Sequence, residues 1–259
     1  SIRIPAALCG VVGLKPTHGE VPRRGVVPLS WSYDNVGPIG RSVTDVAAMF
    51  EVMSGWATGS DRGRRGQRPG EAEGDLAGVR VGVPANHFFD DVEAEVEAAI
   101  RAGLTLLEAR GAALVPVAIP KPDRYEAILY AMLLPEAAAY HADDFPARAD
   151  EYSSQLRKAL TIGNAVPAVD YVQAQRLRGL VQDDWREMFA EVDFVIAPTV
   201  PMQAAPVEQR FVDWSSGRPD SVRAHGSEIA GKPVTLPARH SRTLALLTDS
   251  PLPLDQSTN

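Results

Sequence analysis

Apolar residues recur at helical spacing between Ser42 and Gly55, where Val43, Val46, Ala47, Phe50 and Met53 fall on one helical face. This predicts a helix that starts near Ser42, carries Thr44 and Asp45 in its first turn, and stops at Gly55. Val79 to Val83 alternates and predicts a strand closed by Pro84. From Asp91 to Arg110 the spacing returns to helical, with Val92, Val96, Ile100, Leu104 and Leu107 on one face and Gly111 as the stop. Ala113 to Ile119 reads as a further strand. Strand, helix and strand in that order predict a βαβ unit with parallel strands.

Beyond it, Arg124–His141, Tyr152–Ile162 and Val169–Ala190 read as helices, the last two separated by Gly163 and Pro167. The run Phe194–Ala197, inside VDFVIAPTVPMQAAP, is continuously apolar and predicts a buried central strand with a rigid, proline-rich exit. The expected fold class is therefore α/β, with a mixed, largely parallel central sheet flanked by helices.

The opening stretch, residues 1–41, has no such period. Gly10, Gly13, Gly19, Gly25, Gly37 and Gly40 interleave with Pro5, Pro16, Pro22, Pro28 and Pro38, so tight turns are expected there rather than an ordinary helix. Residues 56–75 are rich in Gly and Arg. The RGRR step could contact phosphate, but acidic residues follow it and no aromatic residues interleave, so a solvated loop is the better reading.

Composition narrows the function classes. With 26 Lys+Arg against 33 Asp+Glu, a net charge of −7 argues against general nucleic-acid binding. No run approaches the roughly 20 apolar residues of a membrane span. A single cysteine excludes an intrachain disulfide and fits a reducing compartment, so a cytoplasmic protein is expected. At 259 residues the chain can bury a substantial core.

The opening stretch also carries the chemistry. Ser1, Ile2, Arg3, Pro5 and Ala6 are followed by Cys9, Gly10, Gly13, Lys15, Pro16 and Thr17, then by Ser32, Asp34, Gly37, Pro38 and Arg41. At this spacing they closely resemble the amidase signature family. Asp170, Tyr171 and Ala174, and then Asp193, Pro198, Thr199 and Pro201, continue the resemblance. It is close over residues 1–206 and weaker to 237, where Gly231, Lys232 and Pro233 echo one further family step. Residues 1–237 are therefore expected to be the C-terminal part of a single amidase domain. Residues 238–259 form a divergent tail, expected to lack the family's order.

The resemblance implies hydrolysis of a carboxylic amide by a Ser–cis-Ser–Lys triad, with Ser1 as the acyl-accepting nucleophile. A serine hydroxyl is a weak nucleophile until a base takes its proton. In the family that base is a lysine acting through a second serine, and both precede the nucleophile, as do most glycines of the oxyanion hole. None of them is in these residues, so the sequence reads as an amidase cut at its catalytic serine and inactive alone. Lys15 belongs to the Lys-Pro-Thr step and is read as structural. The resemblance implies no cofactor and no metal; the expected partner is a small-molecule amide, with a homodimer as a further expectation.

Other readings stand beside this one. A terminal serine is often a frayed end, or it can use its own α-amine as base. A non-catalytic domain that binds an amide, an acyl group or a partner is a second class. The glutamine-hydrolysing subunit of a tRNA-dependent amidotransferase is a third. Its paired-arginine step is not clearly kept in Leu156–Gly163, which favours a general amidase.

Individual residues carry narrower expectations. Arg3 needs a partner if buried, and Asp34 is a candidate, although Asp34 is also expected to fix a turn. Cys9 is expected to be a small buried hydrophobe. Glu136 and His141 could form an acid–base or metal pair, but five positions apart they share no helix face. Arg176 and Arg178 are expected on the outer face of their helix. The 199–205 loop is expected to be a core exit, with the wall of an acyl pocket as its functional alternative.

Overall fold

The structure, a computed structural model, describes residues 2–55 and 75–206, together with the backbone of 211–213 and 219–221. The Arg-rich loop and the 238–259 tail lie outside the described residues.

The chain opens with a six-residue helix, α1 (Arg3–Leu8), and two very short strands, β1 (Val12–Gly13) and β2 (Ile39–Gly40), paired antiparallel. The helix corrects the expectation of turns alone. Proline at the third helical position removes an N–H that has no intrahelical acceptor anyway, so Pro5 is tolerated. Helix α2 (Val43–Met53) follows as read. The Ser42 hydroxyl accepts the Asp45 N–H at 3.1 Å, and Gly55 takes a positive φ of 76° just past the helix end.

Strand β3 (Arg80–Pro84), helix α3 (Ala94–Ala109) and strand β4 (Ala113–Val117) form the expected βαβ unit, with β3 and β4 parallel in register from Arg80 opposite Ala113 to Pro84 opposite Val117. Helices α4 (Tyr125–Tyr140), α5 (Phe145–Arg148), α6 (Ser154–Ala165) and α7 (Ala168–Glu191) come next. Strand β5 (Phe194–Val195) then returns to pair parallel with β3. The sheet order is β4-β3-β5. Two further short strands, β6 (Phe211–Asp213) and β7 (Pro219–Ser221), pair antiparallel with each other.

The 194–197 segment corrects one expectation. It contributes two paired residues at the edge of the described three-stranded sheet, and β3 is the central strand. Apolarity here comes from contact with helices on both sides. Val195 joins the cluster built on α4 and α7, and Ile196 packs into the cluster built on α3. A short continuous apolar run signals two-sided burial and does not distinguish centre from edge.

The two clusters define the layers. Val81, Val96, Ile100, Leu104 and Ala112 pack α3 on one side of the sheet. Val117, Ile128, Met132, Val181, Trp185, Met188 and Val195 pack α4 and α7 on the other, and Tyr33 of the opening stretch leans on this second cluster. The 199–205 loop is pinned to the start of α3. The Glu93 N–H donates to the Pro201 carbonyl at 2.8 Å and the Gln203 N–H to the Glu93 carboxylate at 2.9 Å, while Val200 and Met202 are buried. These contacts are those of a core exit.

Candidate active site

Ser1 lies outside the described residues, so the site is built from residue 2 onward. The Ile2 carbonyl accepts the Ala6 N–H, and the Ile2 side chain reaches toward Gly13 and Gly37. At Gly37 a methyl group would stand 2.1 Å from the Leu14 carbonyl oxygen, 2.8 Å from Pro16 Cδ and 3.0 Å from Ile2 Cδ1. Only glycine lets segments 14–16 and 37 approach this closely. The Leu14 N–H donates to the Pro38 carbonyl at 3.0 Å and closes the same contact. Residue 2 is thus held where three stretches of the opening segment meet.

Next to this contact lies the 29–34 loop, fixed from several directions. The Asp34 carboxylate accepts the N–H groups of Leu29 and Ser30, at 2.9 and 3.0 Å, so it holds the turn as expected. Among the described residues no ion pair joins it to Arg3. The Trp31 carbonyl accepts Arg23 Nη1 at 2.6 Å and lies 3.2 Å from His18 Nε2. Arg178 Nη2 donates to the Ser32 carbonyl at 3.2 Å, and its guanidinium sits 4.4 Å from the Tyr33 ring centroid.

Arg178 is a correction: it reaches inward from α7, and Arg176 alone is on the exposed face. Residues 171, 174, 178 and 181 share one helix face by spacing, and Ala174 and Val181 on that face are buried. This spacing was a signal available in the sequence.

The strongest convergence is on Glu136, which is 1% exposed. Ser30 Oγ and the Ser32 N–H donate to its Oε2 at 2.6 and 3.0 Å. Ser32 Oγ and Tyr171 Oη donate to its Oε1 at 2.6 and 2.9 Å. Burial pushes the Glu136 carboxyl up, but these donors outweigh it and hold it below the usual carboxylate range. His141 instead meets Tyr152 Oη through Nδ1 at 3.1 Å, so Glu136 and His141 form no pair. No cluster of metal-ligating side chains occurs among the described residues.

Two cations sit close together near residue 2. Burial lowers the Arg3 guanidinium from its ordinary value. Burial, reinforced by the Arg3 charge, pushes the Lys15 ammonium down to about 8, and Lys15 Nζ donates to the Pro16 carbonyl at 3.0 Å. Burial also lowers His18, with Arg23, Arg178 and Lys15 adding to the effect against the Trp31 carbonyl. The region facing residues 2–3 is therefore cationic, with Glu136 buried behind the 29–34 loop. Cys9 is exposed, which corrects the expected burial, because it caps the solvent-facing end of α1.

The family model described as amidase matches residues 1–238. The chain belongs to the amidase family. An amidase of Pseudomonas putida is 41% identical over 226 residues, covering 86% of this chain and 48% of that protein. A glutamyl-tRNA(Gln) amidotransferase subunit from Chloroflexus aurantiacus is 30% identical over 240 residues, covering 82% of this chain and 49% of that protein. One solved structure is a chain of a vestigial protein complex bearing on the evolutionary origins of an s-triazine catabolic enzyme. It aligns with a TM-score of 0.77 at 30% identity, over 91% of this chain and 51% of that one. The chain thus spans about half the length of the amidase-family relatives it matches. Its mixed α/β fold, with a parallel sheet and flanking helices, is the fold of those amidase-family structures. No helix among the described residues is long and apolar enough to cross a membrane.

Proposed function

We propose that the protein hydrolyses a small carboxylic amide through an acyl-serine formed on Ser1. The observation that carries this reading is the run from Ser1 to Thr17 in a chain 41% identical to an amidase. The Ser1 oxygen bonds to the amide carbonyl carbon, the carbon–nitrogen bond breaks, and ammonia or an amine leaves with the proton taken from serine. Water then cleaves the ester, releasing the acid and restoring the hydroxyl. In the family pattern a lysine base and a relay serine take the proton from the nucleophile, and both precede it in sequence. Neither cofactor nor metal takes part in this scheme. A cytoplasmic homodimer is part of the same reading.

A second reading is the glutamine-hydrolysing component of an amidotransferase, which the similarity to the Chloroflexus protein favours. The lack of a clear arginine pair in Leu156–Gly163 counts against it.

The test is to extend the reading frame upstream, express the longer protein, and assay a panel of amides that includes glutamine. Turnover in the long form, abolished by Ser1→Ala and absent from the 259-residue form, is expected. Turnover by the short form would overturn the scheme in favour of an N-terminal serine using its own amine. Binding of amides without turnover in either form would establish a binding domain.

A further inference from the structure

We propose that Glu136 is a positioning residue for amide hydrolysis, acting through the Ser30–Asp34 loop onto the segment that holds residue 2. The inference rests on the acyl-serine reading above.

The carboxylate accepts four hydrogen bonds, three from the loop and one from Tyr171 on α7. Among the described residues no cation lies within ion-pair distance of it. A buried charge is tolerated when every lone pair finds a donor. The resulting charge-assisted bonds are stronger than neutral ones and fix direction as well as distance. The cluster therefore fastens a loop more than 100 residues away in sequence to the junction of α4 and α7.

The other side of the loop is equally constrained. Asp34, Arg23 and Arg178 hold its backbone, while the side chains of Leu29 and Trp31 stay 47% and 45% exposed. A backbone held at this many points with apolar side chains left free forms a rigid wall, the arrangement a preorganised site needs. Three residues beyond Asp34 the chain reaches Gly37, which touches Ile2 and the 14–16 segment. A shift of Ser32 would thus be passed to the residue beside the proposed nucleophile.

Glutamine is the informative substitution. Its oxygen can keep the bonds from Ser30 Oγ and the Ser32 N–H, and its amide can face Ser32 Oγ and Tyr171 Oη, which then turn to accept. The expected result is a folded protein whose loop is held by weaker, neutral bonds.

The test uses the upstream-extended protein. Glu136→Gln should lower kcat by up to about 10²-fold, the scale of a misplaced reacting geometry, with KM little changed. Ser32→Ala should act in the same direction, and the double variant should lose less than the product of the two. Tyr125→Phe removes a core hydrogen bond with Trp185, far from the loop in sequence. It should lower the melting temperature and leave kcat unchanged where the protein is folded. Wild-type kcat in Glu136→Gln, or a loss that only follows the folded fraction, overturns the inference while Ser1→Ala remains dead. Undiminished turnover in Ser1→Ala overturns the acyl-serine reading and this inference together. If Glu136→Gln yields no folded protein, Ser32→Ala decides by the same criteria.

Discussion

Arg80 and Asp193, 113 positions apart, are joined through both backbone and side chain. The Arg80 N–H donates to Asp193 Oδ2 at 2.9 Å, the Asp193 N–H donates back to the Arg80 carbonyl at 2.9 Å, and the guanidinium meets Oδ1 at 3.2 Å. Strand β5 has only two ladder residues, so this exchange secures its place beside β3. The two side chains are 44% and 31% exposed, and the ion pair itself contributes little in that setting. The hydrogen bond to the half-buried Arg80 N–H matters more. Asp193→Ala should cost about 1–3 kcal/mol by leaving that donor unpaired, and Asp193→Asn should cost less. Urea unfolding checks this; equal losses in the two variants would show that charge dominates.

Helices α4 and α6 approach each other through Gly163. A Cβ there would lie 2.1 Å from the Leu134 carbonyl oxygen and 2.9 Å from Ala138 Cβ. The obstacle is mainly backbone, so Gly163→Ala should destabilise by about 1–3 kcal/mol. At Gly103 on α3 a Cβ meets nothing within 4 Å, and Gly103→Ala should stabilise by about 0.5–1 kcal/mol. Opposite shifts of the urea midpoint are expected. Shifts of the same sign would refute the packing argument.

Stability should respond to alkaline pH in two steps. Lys15 is depressed to about 8, so between there and its ordinary value near 10.5 the unfolded chain binds more protons than the folded one, and stability rises with pH. Burial raises Tyr33 and Tyr125 to about 12, so above 10 the unfolded chain loses those protons first and stability falls. Urea midpoints measured from pH 7 to 11 should show the Lys15 gain in the wild type and lose it in Lys15→Met. A rise of the same size in Lys15→Met would remove Lys15 as its cause.

On the acid side the sign depends on Glu136. Its folded pKa is held below the unfolded value near 4.5, so its contribution is complete above that value and disappears as pH falls through the lower folded one. Glu136→Gln should flatten this part of the acid-unfolding curve and leave the alkaline steps in place. Retention of the full acid limb would assign it to other carboxylates.

Val27 and Val52 are 68% and 71% exposed, and Met49 is 44% exposed on the same helix as Val52. Helix α2 is apolar through most of its length, yet only Val46 is buried. Such a surface favours association. Val52→Glu in the 259-residue chain should reduce concentration-dependent association, measured by sedimentation, without lowering the melting temperature. Unchanged association would place the contact elsewhere.

Much of this protein could be read from local pattern. Ser42, Asp45 and Gly55 mark the bounds of α2 because caps and αL glycines act within a few residues. Val96, Ile100 and Leu104 identify the buried face of α3 because helical period and burial coincide there. The family relationship was legible from Ser1 to Thr17 because the special residues fall at fixed spacing. Tertiary structure alone decided which strand is central in the described three-stranded sheet, since β3 and the 194–196 segment are both apolar and only their pairing separates them. It also turned Arg178 inward while Arg176 stayed in solvent, and it gave the isolated carboxylate of Glu136 its donors. Those donors come from Ser30, Ser32 and Tyr171, on segments 35 to 106 residues distant. A hydrogen bond across such a separation leaves no periodicity in sequence, because its partners are brought together by helix and sheet packing, not by the spacing of neighbours along the chain.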